Sequence, residues 1–272
     1  MLEFPLEGLA LSCRPLGEHD RLLTLLSDSH GLIRLAVPGA RRPRSSLAAA
    51  VPLAHLHLQV GGNRGLRRVR QLRLLHSYSG LGQQLETLAA AQALAELCLA
   101  LVADDAPAPG MLGDLLMQLG RLEELVRQPQ GAVEALAVAV QGSVHLLALG
   151  GYALPLGRCA RSGAPLQPPV GDWQWRSSFL PADGLLIGSH SGARLVLNAS
   201  ELALLQRLVR PALPRRRDSV LMAPAAVWLR LLELVACWCD EHLGRRPRAF
   251  RLLSNSIDGL LEGGALDGET PP

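Results

Sequence analysis

Leu53-Ala-His-Leu-His-Leu-Gln-Val60 decides the fold of the first third of this chain. Ala54, Leu56, Leu58 and Val60 alternate with His55, His57 and Gln59, the period-2 pattern of a strand with one buried face. Upstream, Gly31-Leu-Ile-Arg-Leu-Ala-Val37 turns Ile33, Leu35 and Val37 to one side and Leu32, Arg34 and Ala36 to the other. Leu9–Cys13 and Arg21–Leu26 are apolar runs of strand length, and residues 66–76 supply a fifth, less regular strand. Ser27-Asp-Ser-His-Gly31 and Gly61-Gly-Asn-Arg-Gly65 carry turn chemistry between them. Five short strands in about 75 residues suit a small closed barrel, of which the oligonucleotide-binding (OB) fold is one candidate.

Beyond Gly80 the period changes to that of helices. Leu85, Leu88, Ala91, Ala95, Cys98 and Val102 recur at three- and four-residue steps. Asp104-Asp-Ala-Pro-Ala-Pro-Gly110 breaks the pattern, and residues 111–127 and 131–149 predict two more helices. Residues 151–197 are rich in proline and turn residues and read as a small loop-rich module. Asn198-Ala-Ser-Glu201 predicts a capped helix start, a long helix follows from Pro224 to Leu243, and Pro247 opens a last one. The expected class is therefore α+β. Residues 1–80 form the barrel, 81–150 a helical bundle, 151–197 the small module, 198–262 closing helices on the bundle, and 263–272 a disordered tail.

Charge divides the chain in the same places. Residues 1–80 hold 11 Arg against 5 acids, residues 81–150 hold 2 against 8, and residues 151–272 hold 14 against 11. Between Ser29 and Gly80 there are nine Arg and no acid. An acid-free stretch of that length points to a polyanion as partner. Its densest part, Pro38-Gly-Ala-Arg-Arg-Pro-Arg-Ser-Ser46, falls where a strand ends. Guanidinium forks and hydroxyls there suit phosphate oxygens. Arg34, Arg41, Arg42, Arg44, Ser45, Arg64, Arg67 and Arg68 are the expected nucleic-acid contacts.

Several chemistries are excluded or unsupported. The chain has no lysine, so neither a phosphate-binding Gly-Lys-Ser/Thr loop nor a lysine nucleophile exists. Five scattered cysteines make no disulfide framework. Cys237 and Cys239 sit two apart on a helix, on nearly opposite sides, and read as packing residues. His55 and His57 share a strand face without a third metal ligand nearby in sequence. Gly188-Ser-His-Ser-Gly192 has His at the centre where a nucleophile elbow needs Ser. Asp104-Asp105 and Glu123-Glu124 read as solvated carboxylates. The N-terminus lacks a secretory signal, and the apolar stretches 85–103 and 131–150, interrupted by charge, read as buried helices. The expected location is cytoplasmic.

Glu7-Gly-Leu-Ala-Leu-Ser-Cys-Arg-Pro-Leu-Gly-Glu-His-Asp-Arg-Leu-Leu-Thr-Leu-Leu26, His30-Gly-Leu-Ile-Arg34 and the arginine loop 38–46 closely resemble the start of the RecO family of bacterial DNA repair proteins. Gly151-Tyr-Ala-Leu-Pro-Leu-Gly-Arg-Cys159 is similar to the family's entry into its zinc module, and Glu241–Phe250 to its C-terminal helix. The resemblance implies an OB barrel with a helical domain carrying that module. It implies a recombination mediator of the RecF pathway without enzymatic turnover, found with the nucleoid. Such a protein binds single- and double-stranded DNA, anneals complementary strands, acts with RecR, and contacts the acidic tail of single-strand-binding protein (SSB) while RecA is loaded.

The module departs from the family pattern. Where zinc-binding members have two Cys-x-x-Cys pairs, this chain reads Cys159-Ala-Arg-Ser162 and Gly188-Ser-His-Ser191, so one thiol of four remains and no cofactor is expected. Trp173, Trp175 and Phe179 are then expected to hold the module by packing. The arginines near residues 207–217 (Arg207, Arg210, Arg215, Arg216 and Arg217) are the expected seat of the SSB tail. An RNA-binding OB protein is the alternative that the basic barrel alone fits equally.

Overall fold

A computed structural model describes residues 3–62, 66–128 and 131–266. Five strands close the N-terminal barrel: β1 (Glu3–Leu16), β2 (Asp20–Ser27), β3 (Gly31–Val37), β4 (Ala54–Gly61) and β5 (Arg67–Ser77). Their order is β1-β2-β3-β5-β4, with β4 returning antiparallel to β1 and β3 meeting β5 in parallel. This is an OB-type barrel.

Barrel closure depends on β1, which is longer than its apolar run suggests. Its first half pairs with β4 and its second with β2, and a bulge between Ala10 and Ser12 turns the corner between them. Gly8 makes the bend possible, because a Cβ there would lie 2.2 Å from the Leu26 carbonyl oxygen. Ala54, Leu56, Leu58 and Val60 all point inward and are buried, as the alternation predicts. Ile33, Leu35 and Val37 join them in the barrel core. On the other face of β3, Leu32 and Ala36 are also buried, and Arg34 alone is exposed.

Leu32 is covered because the barrel's outer wall is part of a second core. Leu9, Leu11, Leu26, Leu32 and Leu53 pack into one apolar cluster with the helices. These helices are α1 (Leu85–Leu101), α2 (Met111–Leu125), α3 (Gly131–Leu149), α4 (Ala199–Arg207), α5 (Ala225–Leu243) and α6 (Ala249–Leu266). On length and composition α3 is apolar enough to cross a membrane, yet it is mostly buried among its neighbours as a core helix. Each leucine taken fully from water contributes about 1.5–3 kcal/mol, so this shared core binds barrel to helices firmly.

Backbone hydrogen bonds fix the joint. The Leu32 amide donates to Ala103 O at 3.1 Å, and the Asp105 amide returns to Leu32 O at 2.9 Å. Asp28 accepts from Ala108 through its carbonyl and from the Leu112 amide through its side chain. Gly31 allows this approach: its φ is +62°, and a Cβ there would stand 2.1 Å from Ala106 O.

Residues 151–197 are more ordered than a loop-rich module. β6 (Arg176–Leu180), β7 (Gly184–Ile187) and β8 (Leu195–Asn198) form an antiparallel sheet in the order β7-β6-β8. Phe179 is buried and Trp175 half-buried against the core, but Trp173 is 87% exposed and packs nothing together. The capping box at Asn198 and Glu201 is present, and α5 occupies its expected span. α6 runs to Leu266, past the Gly263 at which a tail is expected to begin. Residues 267–272 lie outside the described residues.

Candidate nucleic-acid interface

The arginine loop leaves β3 at Pro38 and is tied down along its length. The Gly39 amide donates to Asp20 Oδ1 at 2.8 Å, and the Arg41 amide to His19 O at 2.9 Å. Arg41 Nη1 donates to Gly17 O at 3.0 Å. At the far end Arg21 Nη1 donates to the carbonyls of both Ala48 and Ala50, each at 3.0 Å. Ala40 and Ala50 are buried against the end of the barrel core. The result is a fixed loop lying along the β1–β2 turn.

Its arginines face outward. Arg41, Arg42 and Arg44 are exposed, and among the described residues Arg42 and Arg44 form no ion pair. Arg44 has φ +58°, a left-handed conformation that is uncommon outside glycine. Ser45 is half-buried, and its hydroxyl accepts from the Leu47 amide at 3.2 Å, so it shapes the loop as well as lining it. A loop held this way presents three guanidinium forks without having to order its own backbone on binding. Arg21 is a positioning residue that sequence reasoning missed; its place opposite the loop follows only from the barrel's closure.

The remaining expected contacts divide. Arg68 is exposed on β5. Arg64 lies outside the described residues. Arg34 projects from β3 and pairs with Asp104 at 3.1 Å. Arg67 is placed differently from the others. Its side chain is 14% exposed, bonds Asp105 at 2.5 Å, and sits over the Phe4 ring with its carbon 5.7 Å from the centroid. Its buried Nε has no hydrogen-bond partner among the described residues. It belongs to the joint between barrel and helices and is mostly turned from solvent. Asp104 and Asp105 are exposed, as the solvated reading expects, and each also meets an arginine. Glu123 is likewise engaged, with His76 at 2.9 Å.

No aromatic face of the barrel is free among the described residues. Phe4 stacks on His30 at 5.3 Å, and Tyr78 is buried edge-on to His76 at 4.5 Å. His55 is bonded to Glu7 across the β1–β4 pair at 3.0 Å, which makes that face an ordinary polar sheet surface.

In the small module, the two segments where the resemblance implies zinc ligands face each other. The Ile187 amide donates to Cys159 Sγ at 3.5 Å, and the Ala160 amide to Leu185 O at 2.9 Å. Burial works against ionising the Cys159 thiol. Hydrogen bonds from the Ser162 hydroxyl and from the amides of Ser162, Ile187 and Arg161 outweigh it and bring the pKa down to about 6. The other three ligand positions are Ser162, Gly188 and Ser191, none of which supplies a thiolate. His190 is engaged with the Ile187 carbonyl at 2.9 Å and with Arg161. These residues do not fit four-coordinate zinc, and hydrogen bonds do the holding instead. Among the described residues no group of three His, Cys, Asp or Glu is placed to bind a metal. Cys237 and Cys239 are both buried in α5.

The barrel and the helices each match a known family model. Residues 1–78 match the N-terminal model of recombination protein O, and residues 82–265 match its C-terminal model. The chain belongs to the RecO family. It is 63% identical over 253 residues to the DNA repair protein RecO of Synechococcus sp. (strain WH7803), covering 93% of this chain and 94% of that one. The RecO protein of Prochlorococcus marinus (strain MIT 9303) is 62% identical over the same length, covering 93% and 95%. That of Trichodesmium erythraeum is 29% identical over 274 residues, with 93% and 94% covered. A role in DNA repair and recombination follows from that membership.

Proposed function

We propose that this protein is a non-enzymatic recombination mediator. It binds single-stranded DNA by its backbone, anneals complementary strands, and with RecR helps RecA replace SSB, in the cytoplasm at the nucleoid. The anchored loop presenting Arg41, Arg42 and Arg44 is the observation that carries this reading. The barrel, residues 1–80, is the DNA-binding domain, and Arg34 and Arg68 extend its reach. Its covered aromatic rings support contact through phosphates without base stacking. Bases left unstacked stay free to pair, which is what an annealer needs. Such binding has weak base preference and steep salt dependence.

The helices serve protein contacts in this reading. Residues 81–150 carry 8 acids against 2 Arg and repel DNA, which supports their use as a protein-facing surface. The SSB tail is assigned to the closing helices, where Arg207 borders an apolar groove of about 420 Å3 with Leu204, Met222 and Val227. Arg215 is not available to it, being paired with Glu134.

Competition tests the nucleic-acid assignment. A fluorescent oligothymidine bound to the full chain should be displaced by unlabelled single-stranded DNA at lower concentration than by structured RNA. Displacement by the RNA at lower concentration would favour a protein of RNA metabolism instead.

A further inference from the structure

We propose that a second phosphate-gripping surface, resting on the DNA-binding reading above, lies in the cleft between barrel and helices. There Arg14, Arg34 and Arg245 converge and Asp104 stands where a phosphate would sit. The ligand is the sugar-phosphate backbone of a single strand.

Strand register builds the floor. Ser12 is opposite Thr24, and Thr24 opposite Arg34, so the three form a polar row across β1, β2 and β3. Arg14, opposite Leu22, stands beside that row on the same outer face. Farther along the same strands, Leu26 and Leu32 are sealed against the helices. One face is thus apolar where it joins the helical core and polar where it opens.

Helices supply the opposite wall. Gly244, at φ +67°, ends α5, and Arg245 follows it toward the end of α1, where its Nη2 donates to Leu99 O at 2.9 Å. One bond of that kind leaves the rest of a five-donor fork for a ligand. The cleft measures about 570 Å3, within the range of small-molecule sites and ample for a nucleotide unit. The hydrogen bonds between Leu32 and residues 103 and 105 hold its two walls in place, so the cleft is formed before any ligand arrives.

Charge selects the ligand. Three Arg face one acid in the lining. Arg14 is exposed and makes no ion pair among the described residues. Among the described residues Arg34 pairs only with Asp104, and both side chains are more than half exposed. An exposed pair of this kind is weak and exchanges readily for another anion. Asp104 therefore competes with phosphate for Arg34. The cleft also adjoins the arginine loop, since Arg14 and the Gly17 carbonyl that holds Arg41 lie on the same hairpin. Together they make one path around the β1–β2 turn.

The test measures oligothymidine affinity of the full chain by fluorescence polarisation across a salt series. For every phosphate that is no longer neutralised, the plot of log affinity against log salt flattens by roughly 0.7. Arg14→Ala should flatten it by that amount, and Arg14→Ala with Arg245→Gln by about 1.4. Asp104→Asn should tighten binding several-fold at low salt. Arg14 has no structural partner among the described residues, so its variant should fold as the parent does. A wild-type slope and affinity in both arginine variants would overturn the inference. If the Arg41/Arg42/Arg44 variant alone loses slope, the cleft falls and the DNA-binding reading stands. If the parent chain binds no DNA, both fall.

Discussion

Replacing Arg41, Arg42 and Arg44 together by Ala should remove the larger part of the barrel's grip on DNA while leaving the barrel intact. All three are exposed, and the bonds that anchor the loop come mostly from its backbone and from Asp20 and Arg21, which stay. The one anchoring side-chain bond that disappears is Arg41 Nη1 to Gly17 O. Exposed substitutions of this kind cost about 0.5 kcal/mol each or less, so the folded state should persist. If each Arg neutralises one phosphate, the salt slope falls by about 2.1 for single-stranded DNA. Extrapolated from 1 M salt, that slope corresponds to roughly 100-fold weaker binding at 0.1 M and about tenfold at 0.3 M. Polarisation of a labelled oligothymidine across that range, beside a circular dichroism spectrum, reads both effects. A folded variant with parental slope would refute the loop as the main contact and move the DNA elsewhere.

Purified protein should carry no stoichiometric zinc by elemental analysis; a full equivalent that vanishes on Cys159→Ala would contradict the reading of the module. His145, hydrogen-bonded to Asp114 and to the Leu208 carbonyl, has its pKa raised by Asp114 against the opposing effect of burial, with Arg121 and Gln118 the other polar neighbours. A raised folded pKa means the protonated pair stabilises fully below the unfolded value of about 6.5 and that contribution is lost as pH climbs through the folded one. Urea midpoints should accordingly fall between pH 6 and 8 in the parent and stay flatter in His145→Gln; parallel curves would contradict this. Gly31→Ala forces a left-handed residue and a clash with Ala106 O, and should lower stability by at least about 1–3 kcal/mol in urea unfolding. An unchanged midpoint would mean the joint between barrel and helices is softer than described.

How far the sequence reveals this arrangement depends on whether the signal is local. β4 is legible because one face is buried and the other polar, and α5 because its apolar stripe is long. β1 reads too short, since Pro5, Gly8 and Pro15 interrupt its apolar run, although edge and bulge positions tolerate them. β6–β8 are four or five residues each and lie among prolines, below the length at which alternation is distinctive. Arg67 and Asp105 are separated by 38 positions, so nothing local reveals that one charge cancels the other. Trp173 and Phe179 look alike in composition, but only Phe179 sits on a strand facing the core. The arginine loop is visible as a charge run; its rigidity appears only once the β1–β2 turn is seen beneath it.

The mediator reading rests on annealing. Complementary single strands coated with SSB, mixed with the purified protein and no ATP, can be followed by fluorescence energy transfer between labels on the two strands. The account predicts duplex formation much faster than with SSB alone, with the acceleration suppressed by high salt and by loss of Arg41, Arg42 and Arg44. Annealing no faster than SSB alone, by a protein that still binds DNA, would contradict it.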